Sequence, residues 1–434
     1  MTRALVIAGI TAALMVLCVL LKPYIYVKKL KIGLYWMVCV AGAAVMLICG
    51  CISLSDAWQG ITAPTAVNPL KILALFISMT LISVFLGDAG FFDACADKVF
   101  RSAGGSQFKL FLTLYFVVAT LTVFTSNDII VLTFTPPICM FAAKAKVSPI
   151  PYLVGEFVAA NTWSMMLIVG NPTNIYLAGS AGITFSEYFS VMWLPALGGG
   201  LASLAAMLLI FGKTLSAPLQ KPDGAEKSGV KCRKVPLVAA LVHLVVCIVM
   251  LAISYYIGVE MWLICVALAV SLTLFNVVYD LITEKSVRPV FRSLKKAPYE
   301  LIPFVLGMFV IVLSLSECGF TSLAAQYLSS GKKTDGITFS FLSALTSNAL
   351  NNIPAAVLFE RITAGGSPAS VYGAIIGSNI GAYITPVGAL AGIMWTNILG
   401  EYRVKMNFLR FASVGVAAAI PTLLVSSLML LLVL

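Results

Sequence analysis

The chain has 434 residues, of which 60% are hydrophobic and 10% are charged, and its net charge is +11. Soluble globular proteins have a charged fraction of about 25%, so this composition excludes that class and indicates a polytopic membrane protein. The lysines and arginines are dispersed in short loops between apolar stretches, which membrane topology explains better than a nucleic-acid partner does.

The first half of the chain predicts five membrane crossings and one re-entrant hairpin. A spanning helix needs about 20 mostly apolar residues. Such stretches cover residues 4–21, 34–52, 72–86, 151–177 and 188–211. Residues 88–101 alternate between apolar and charged residues, which is typical of an amphipathic helix at the membrane interface. Residues 108–143 are expected to enter the membrane and return, with Ser126-Asn127-Asp128 near the turn.

The polar segment 212–234 is predicted to be a cytoplasmic linker between a first membrane repeat, 1–211, and a second, 235–434. The crossings of the second repeat are expected at 235–257, 261–278, 301–315, 371–398 and 408–434. Its hairpin is expected at 338–359. The apolar arm before Ser347 has about ten residues, or ~15 Å of helix, so it reaches mid-membrane and must turn back.

Several short motifs recur between the two halves. Thr125-Ser126-Asn127 returns as Thr346-Ser347-Asn348, Gly90-Phe91 as Gly319-Phe320, and Asn161 as Asn379. Because each copy has an odd number of crossings, the second copy is inverted relative to the first. Inverted repeats with broken helices at the midplane are the architecture of many secondary transporters. The predicted fold is therefore an all-α polytopic membrane protein, with two inverted repeats of five transmembrane helices, each with a re-entrant hairpin and a broken helix.

The distribution of basic residues gives the predicted orientation. With the N-terminus outside, the cytoplasmic segments hold 23 of the 28 lysines and arginines. Basic residues concentrate on the cytoplasmic side of membrane proteins. This split predicts a multi-pass protein of the plasma membrane with most of its basic loops in the cytoplasm. Drawing the first hairpin as two full crossings would give the same parity.

Polar residues concentrate at the two hairpin tips and at the breaks in the fourth crossing of each half. Irregular backbone at membrane depth persists where it is buried in protein or lines a cavity, and its freed carbonyls and helix N-termini bind ions. Such residues also often bond only a neighbouring helix, but their repetition in both halves favours a substrate or ion site. The candidates are Thr125, Ser126, Asn127, Asp128, Gly170, Asn171, Thr173, Asn174, Thr346, Ser347, Asn348, Asn351, Asn352, Ser378, Asn379, Thr385 and Gly388.

Asp128 is the one acidic residue expected at the centre of the membrane, where a carboxyl group is costly and usually functional. It fits a proton carrier, a sodium ligand or a neutral hydrogen-bonded acid. No lysine or arginine is expected at the midplane, so a multivalent anion would need bound cations or helix dipoles. The ten cysteines and the single His243 show no metal-binding spacing. We therefore expect no metal and no cofactor.

Four stretches resemble the signature sequences of the arsenite efflux permeases, within the ion-transporter superfamily. They are SNDIIVLTFTPP, GNPTN, SNALNNIPAA and GSNIGAYITPVGALAGIMW, and the resemblance runs from about residue 72 to the end. It implies two inverted repeats with a central site at the hairpin tips and breaks, and proton coupling at Asp128. Members of this family often have an acidic residue where this chain has Asn379, a departure that leaves substrate and coupling ion open.

The predicted function is secondary active export of arsenite or antimonite in exchange for protons, by alternating access. A neutral, hydroxyl-rich solute suits a site of amides and hydroxyls. The alternatives are a sodium/proton antiporter, a sodium-coupled carboxylate or inorganic anion transporter, and a passive channel. An enzyme is disfavoured, because catalytic motifs such as H-E-x-x-H and G-x-S-x-G are absent. The expected partners are the lipid bilayer, a small inorganic solute and a coupling proton or sodium ion. A homodimer and a soluble ATPase on the cytoplasmic loops are further partners to test.

Overall fold

The computed structural model describes residues 1–21, 24–27, 30–63, 68–102, 104–219 and 232–434. Within these ranges the first half has ten helices and one short antiparallel hairpin of β1 (Tyr24–Val27) and β2 (Leu30–Gly33). The helices are α1 (Thr2–Leu21), α2 (Leu34–Ile48), α3 (Leu54–Thr62), α4 (Pro69–Asp88), α5 (Phe91–Ser102), α6 (Gln107–Phe124), α7 (Asn127–Lys144), α8 (Ile150–Trp163), α9 (Pro172–Ser180) and α10 (Phe185–Leu215).

The second half also has ten helices among the described residues. They are α11 (Lys234–Ile257), α12 (Met261–Thr283), α13 (Arg288–Leu294), α14 (Leu301–Glu317), α15 (Phe320–Leu328), α16 (Asp335–Leu350), α17 (Asn352–Thr363), α18 (Pro368–Gly381), α19 (Leu390–Glu401) and α20 (Phe408–Val433). The predicted all-helical membrane fold with broken helices is confirmed. The small β-hairpin and α3 were not predicted. Most of the predicted linker 212–234 lies outside the described residues, and α10 extends into its start.

Six described helices are long and apolar enough to cross a membrane, or seven if the bent pair α14–α15 counts as one span. The six are α4, α6, α10, α11, α12 and α20. Two further apolar helices, at the positions of α1 and α2, are shorter. The predicted fourth crossing of each half is divided into α8 and α9, and into α18 and α19. The predicted total of ten crossings and the inverted orientation of the repeats stay predictions.

The recurring Gly-Phe pairs form equivalent joints in the two halves. Gly90 has φ +89° and Gly319 has φ +80°, and each stands immediately before a phenylalanine that starts a short helix, α5 or α15. Glycine adopts a positive φ without the steric cost that a Cβ atom would bring. The bend between α14 and α15 is 75°. Helix α5 buries Phe92, Ala96 and Val99 along one face, as its amphipathic sequence predicts.

The helices pack in two groups. A central bundle consists of α6–α10 and α16–α20, and every residue of α8 and all but the first residue of α18 are buried. Flanking helices α1 and α2 pack against α14, and α11 and α12 pack against α4. Packing also joins the two halves of the chain, because α7 packs on α19 and α17 packs on α9. Helices α4 and α14 thus lie between the flanking helices and the central bundle.

Candidate functional site

The break in the first half lies between α8 and α9. Two 3-10 turns, Ser164–Met166 and Ile168–Gly170, connect the helices. Asn171 then caps α9, because its side-chain oxygen accepts a hydrogen bond from the Thr173 backbone N–H at 3.1 Å. A Cβ atom at Gly170 would overlap the Ser164 carbonyl. Glycine is therefore required for this fold of the backbone.

The break in the second half begins later than the sequence pattern indicated. Ser378 and Asn379 were expected in irregular backbone, but α18 continues through both and ends at Gly381. Residues 382–389 form the connection to α19, which includes Thr385 and Gly388. Small residues do not end a helix by themselves where close packing against a neighbour, here α16, stabilises it. Ser378 and Asn379 consequently act from a rigid helix.

A buried amide network joins the two breaks, and its centre is Asn379. The Asn379 Oδ1 atom accepts hydrogen bonds from Ser164 Oγ and Asn171 Nδ2, both at 2.9 Å. Its Nδ2 atom donates to Asn174 Oδ1 at 2.7 Å and to the Ile375 carbonyl at 2.8 Å. The Asn379 amide is thus saturated on both sides. Since partners from the first half satisfy an amide from the second half, this network ties the halves together.

The network has two extensions. Ser378 Oγ donates to Thr173 Oγ1 at 3.1 Å, which is a second bond between the breaks. At the first hairpin tip, Asn127 Nδ2 donates to Asn161 Oδ1 at 2.9 Å, and the Asn161 carbonyl accepts from Ser164 Oγ at 2.8 Å. All of these side chains are 0–1% exposed. The first tip and both breaks therefore form one continuous polar core.

The second tip makes a separate cluster with residues 381–388. Thr385 Oγ1 donates to Asn348 Oδ1 at 2.7 Å, and Asn348 Nδ2 donates to the Gly381 carbonyl at 3.0 Å. Asn351 Nδ2 donates to the Val387 carbonyl at 3.0 Å, and the Asn352 backbone N–H donates to the Gly388 carbonyl at 2.9 Å. The tip of α16 and α17 is thus fastened to the break that follows α18.

Two oxygen atoms at each tip are buried without a hydrogen-bond partner among the described residues. At the first tip they are Ser126 Oγ and Asn127 Oδ1, and at the second they are Ser347 Oγ and Asn352 Oδ1. These four side chains are at most 4% exposed. Buried polar atoms in native proteins nearly always have partners. These four oxygens, two at each tip, are therefore candidate contacts for a ligand.

Asp128 is half-buried and lines a cavity of about 660 Å³. The cavity lies between α4, α7, α19 and the start of α14, and its charged lining residues are Asp88, Asp93, Asp128, Glu300, Lys295 and Lys296. Asp88 forms an ion pair with Lys296 and accepts a hydrogen bond from Ser293 at 2.5 Å. Glu300 accepts from the Tyr35 hydroxyl at 2.9 Å. Asp128 is thus reached through a cavity whose charged groups are mainly carboxylates.

Two predicted site residues lie apart from these clusters. Thr125 is buried, but its hydroxyl donates to the Leu121 carbonyl in its own helix at 2.7 Å. Thr346 is half-buried on α16, one residue before the unpartnered Ser347. Among the described residues, no group of three His, Cys, Asp or Glu side chains is placed to hold a metal ion.

Sequence reasoning missed several members of the polar core. Asn161 accepts a hydrogen bond from Asn127 at the first tip, and Ser164 donates one to Asn379. The recurrence of Asn161 as Asn379 in the sequence was the signal that could have identified Asn161. Glu156, which the sequence analysis did not single out, is fully buried, and both its oxygens lie 3.1 Å from Thr135 Oγ1. Glu360 is also buried, at 6% exposed. Asp128 is therefore not the sole acid inside the bundle.

The amino-acid sequence has relatives over nearly its full length. A family model described as "citrate transporter" (CitMHS) matches residues 10–371. The arsenical pump membrane protein of Escherichia coli K12 is 28% identical over 444 residues, which cover 97% of each chain. The protein of the same name from Yersinia enterocolitica is 27% identical and covers 92% of this chain and 93% of its own.

Two solved structures share the fold. The Alcanivorax borkumensis YdaH transporter superimposes with a TM-score of 0.59 at 14% identity, and covers 99% of this chain and 97% of its own. The Neisseria gonorrhoeae efflux pump MtrF gives a TM-score of 0.53 at 12% identity, with 99% and 94% covered. At these identities the likeness concerns the arrangement of helices.

Proposed function

The chain belongs to the citrate transporter family CitMHS, within the ion-transporter superfamily, and from this membership and its site we propose that it exports arsenite or antimonite in exchange for protons. It is a multi-pass membrane transporter. The curated relatives named arsenical pump membrane proteins support the choice of substrate within this family. The observation that carries the proposal is the acidic cavity that leads to Asp128.

The charge of this cavity opposes a multivalent anion such as citrate. Four carboxyl groups and two lysines line it, and one of these lysines, Lys296, is paired with Asp88. Like charges at close range in a partly desolvated cavity repel one another. A neutral trihydroxy solute has no such penalty. Asp128 then supplies a carboxyl group inside the membrane that binds and releases the coupling proton.

The unpartnered oxygens at the two tips suit the hydroxyl groups of this solute. Asn127 Oδ1 and Asn352 Oδ1 accept hydrogen bonds, and Ser126 and Ser347 both donate and accept. A site built to pair with hydroxyl groups discriminates strongly against solutes that lack them, because its buried polar atoms would stay unpaired. The same oxygens also favour a second candidate, a sodium/proton antiporter or a sodium-coupled carboxylate or inorganic anion transporter, in which they are cation ligands.

We propose alternating access along the surface where α4 and α14 meet the central bundle. The packing of α7 on α19 and of α17 on α9 supports a unit that moves as one body, because the polar networks bind both breaks into it. The proposed organisation is two inverted repeats, 1–211 and 235–434, in the plasma membrane, with residues 212–234 and most basic loops in the cytoplasm. The basic-residue distribution supports this orientation.

The test is arsenite uptake into everted membrane vesicles under an imposed proton gradient. Wild type is expected to accumulate arsenite, and Asp128→Asn to lose this uphill uptake while it still exchanges labelled arsenite in counterflow. Asp56→Asn, an exposed residue of α3, is the control and should behave as wild type. Uptake that follows a sodium gradient would favour the second candidate. Flux that is downhill under every gradient would indicate a channel and overturn the proposal.

A further inference from the structure

Three cavities follow one another along α4. The cavity of about 660 Å³ that contains Asp128 extends along the second half of α4, from Phe76 to Asp88. A cavity of about 20 Å³ follows, and Phe76 and Leu301 line both. A third, of about 450 Å³, lies at the start of α4 and shares Ile72 with the second. Phe76 and Leu301 thus form an apolar partition between the cavity that contains Asp128 and the two cavities nearer the start of α4.

The small middle cavity has room for one water molecule, which needs ~10–15 Å³. It is apolar except for Thr173 and Tyr176, which reach it from α9. The Tyr176 hydroxyl is buried and has no hydrogen-bond partner among the described residues. Thr173 belongs to the polar core, because its hydroxyl contacts Asn171 Oδ1 and Ser378 Oγ at 3.1 Å. A water molecule here would join Tyr176 to the site.

Glu360 lies on α17, one helical turn beyond a residue that lines this cavity. Ile353 and Ala356 of α17 line the cavity, and Glu360 follows Ala356 by four residues, which places it on the same helix face. Its Oε2 atom is buried and accepts no hydrogen bond, although Arg361 Nε is 3.1 Å away. The Arg361 guanidinium stacks on Phe309, at 5.9 Å from the ring centre. Tyr176, whose hydroxyl has no partner among the described residues, and Glu360, a buried carboxylate paired with Arg361, therefore stand on two helices that pack together.

The electrostatic surroundings of Glu360 are sparse. Besides Arg361 on its own helix, the titratable groups on the described helices that pack most closely against α17 are Tyr176, Glu317, Tyr327, Asp335 and Tyr372. Tyr176 interacts electrostatically with Glu360 and Arg361. Glu317 and Tyr327 are exposed, and Asp335, at the start of α16, accepts hydrogen bonds from serine groups. Lys71 of α4 is paired with Glu260 at 2.6 Å. Among the described residues, Arg361 is thus the one charged side chain paired with Glu360.

We propose that Glu360 and Tyr176 form a second proton-binding unit, on the side of the Phe76–Leu301 partition opposite to Asp128. Protons that enter on that side bind Glu360, and Tyr176 with an enclosed water passes them toward Thr173 and the polar core. Proton-coupled exchange then has one carboxyl group on each side of the partition. This inference rests on the proposed proton-coupled transport.

The first experiment separates coupling from folding and from substrate binding. Purified wild type, Glu360→Gln, Tyr176→Phe and the exposed control Glu317→Gln are reconstituted in liposomes. Glu360→Gln should lower proton-driven arsenite accumulation by about tenfold, a usual size for coupling between two sites, while arsenite counterflow, which needs no net proton movement, stays at the wild-type level. Tyr176→Phe should slow accumulation without abolishing it. Equal loss of both activities in Glu360→Gln would show a structural role and overturn the inference.

The second experiment does not depend on arsenite. Infrared difference spectra of the reconstituted protein after a pH step report protonation of individual carboxyl groups. We expect a carboxyl band that is absent in Glu360→Gln, shifted in Tyr176→Phe and unchanged in Glu317→Gln. If wild type fails to accumulate arsenite but shows this band, the proposed function fails and the proton-binding unit stands. If Glu360→Gln has the wild-type spectrum, the proton-binding unit is refuted whatever the substrate.

Discussion

The side chain of Asn379 donates a hydrogen bond to Oδ1 of Asn174 at 2.7 Å, across 205 residues of chain. Together with the bonds that Asn379 accepts from Ser164 and Asn171, this contact makes the broken crossing of one half depend on the corresponding crossing of the other. Here a carboxylate would place oxygen against the oxygens of Asn174 and Ile375, so the surrounding network is fitted to an amide.

Removal of the Asn379 side chain should therefore destabilise the protein strongly. Asn379→Ala leaves the buried Nδ2 of Asn171 and the buried Oδ1 of Asn174 without their partner, and each such group costs about 1–3 kcal/mol. The thermal unfolding midpoint in detergent should fall well below that of Asn276→Ala, a matched control in which a buried amide donates to Leu272 of its own helix. Equal midpoints for the two variants would contradict the role of Asn379 as a link between the halves.

Gly377 should tolerate no side chain, because α16 and α18 pack closely there. A Cβ atom at Gly377 would overlap the Ser340 carbonyl and lie 2.8 Å from Ser343 Cβ. We expect Gly377→Ala to lower the free energy of unfolding by about 1–3 kcal/mol, the usual cost of overpacking. Gly212→Ala is the control. A Cβ atom at Gly212, in α10, would have no atom within 4 Å, and alanine is the better helix former. The thermal unfolding midpoint of Gly212→Ala should therefore equal or exceed that of wild type.

Asn351 is held in a strained conformation at the second tip. Its φ of +81° and ψ of +153° lie in a region that costs a side-chain-bearing residue about 1–3 kcal/mol. Asn351→Gly loses the bond to Val387 but relieves the strain, whereas Asn351→Ala loses the bond and keeps the strain. Thermal midpoints should thus rank alanine below glycine. The reverse order would mean that the backbone there relaxes freely in solution.

The stability of the α16 start should depend on acidic pH through Asp335. Burial acts to raise the pKa of this carboxyl group, but hydrogen bonds from Ser330, Gly331 and Ser329 outweigh it and hold the pKa below its ordinary value of 3.8. A lowered pKa gives stability that is complete above the unfolded value and is lost as pH falls through the folded one. Asp335→Asn should have a lower thermal midpoint than wild type at neutral pH.

This difference between Asp335→Asn and wild type should narrow below about pH 4. Midpoints measured across this range test the assignment. Ser367→Ala, which removes the weaker contact to Asp335 at 3.3 Å, serves as the mild comparison. A difference that persists unchanged into acid would show that the carboxylate charge is not what stabilises the turn.

The sequence pattern named polar residues at the tips and breaks, but not the hydrogen bonds that connect them. Repetition of Thr-Ser-Asn indicated both tips, since local backbone breaks depend on local sequence, whereas the Gly-Phe pairs were noted only as a repeat and are joints in the structure. The sequence pattern assigned Asn379 to a break, although packing on α16 keeps that residue helical. It also overlooked Glu156 and Glu360. Whether an acid near a helix end is buried depends on which helix covers it, and that is not a local property.

The sequence by itself determined the membrane class, the helical fold, the first break and the presence of a second break in the corresponding crossing of the second half, though not where the second break begins. These follow from hydropathy and from glycine, proline and asparagine chemistry, which act over a few residues. Only the tertiary structure decided that Asn379 bonds Asn174, that Asp128 faces an acidic cavity, and that α9, which carries Tyr176, packs on α17, which carries Glu360. Those relationships join residues far apart in the chain, and the packing of α4 and α14 against the central bundle fixes them.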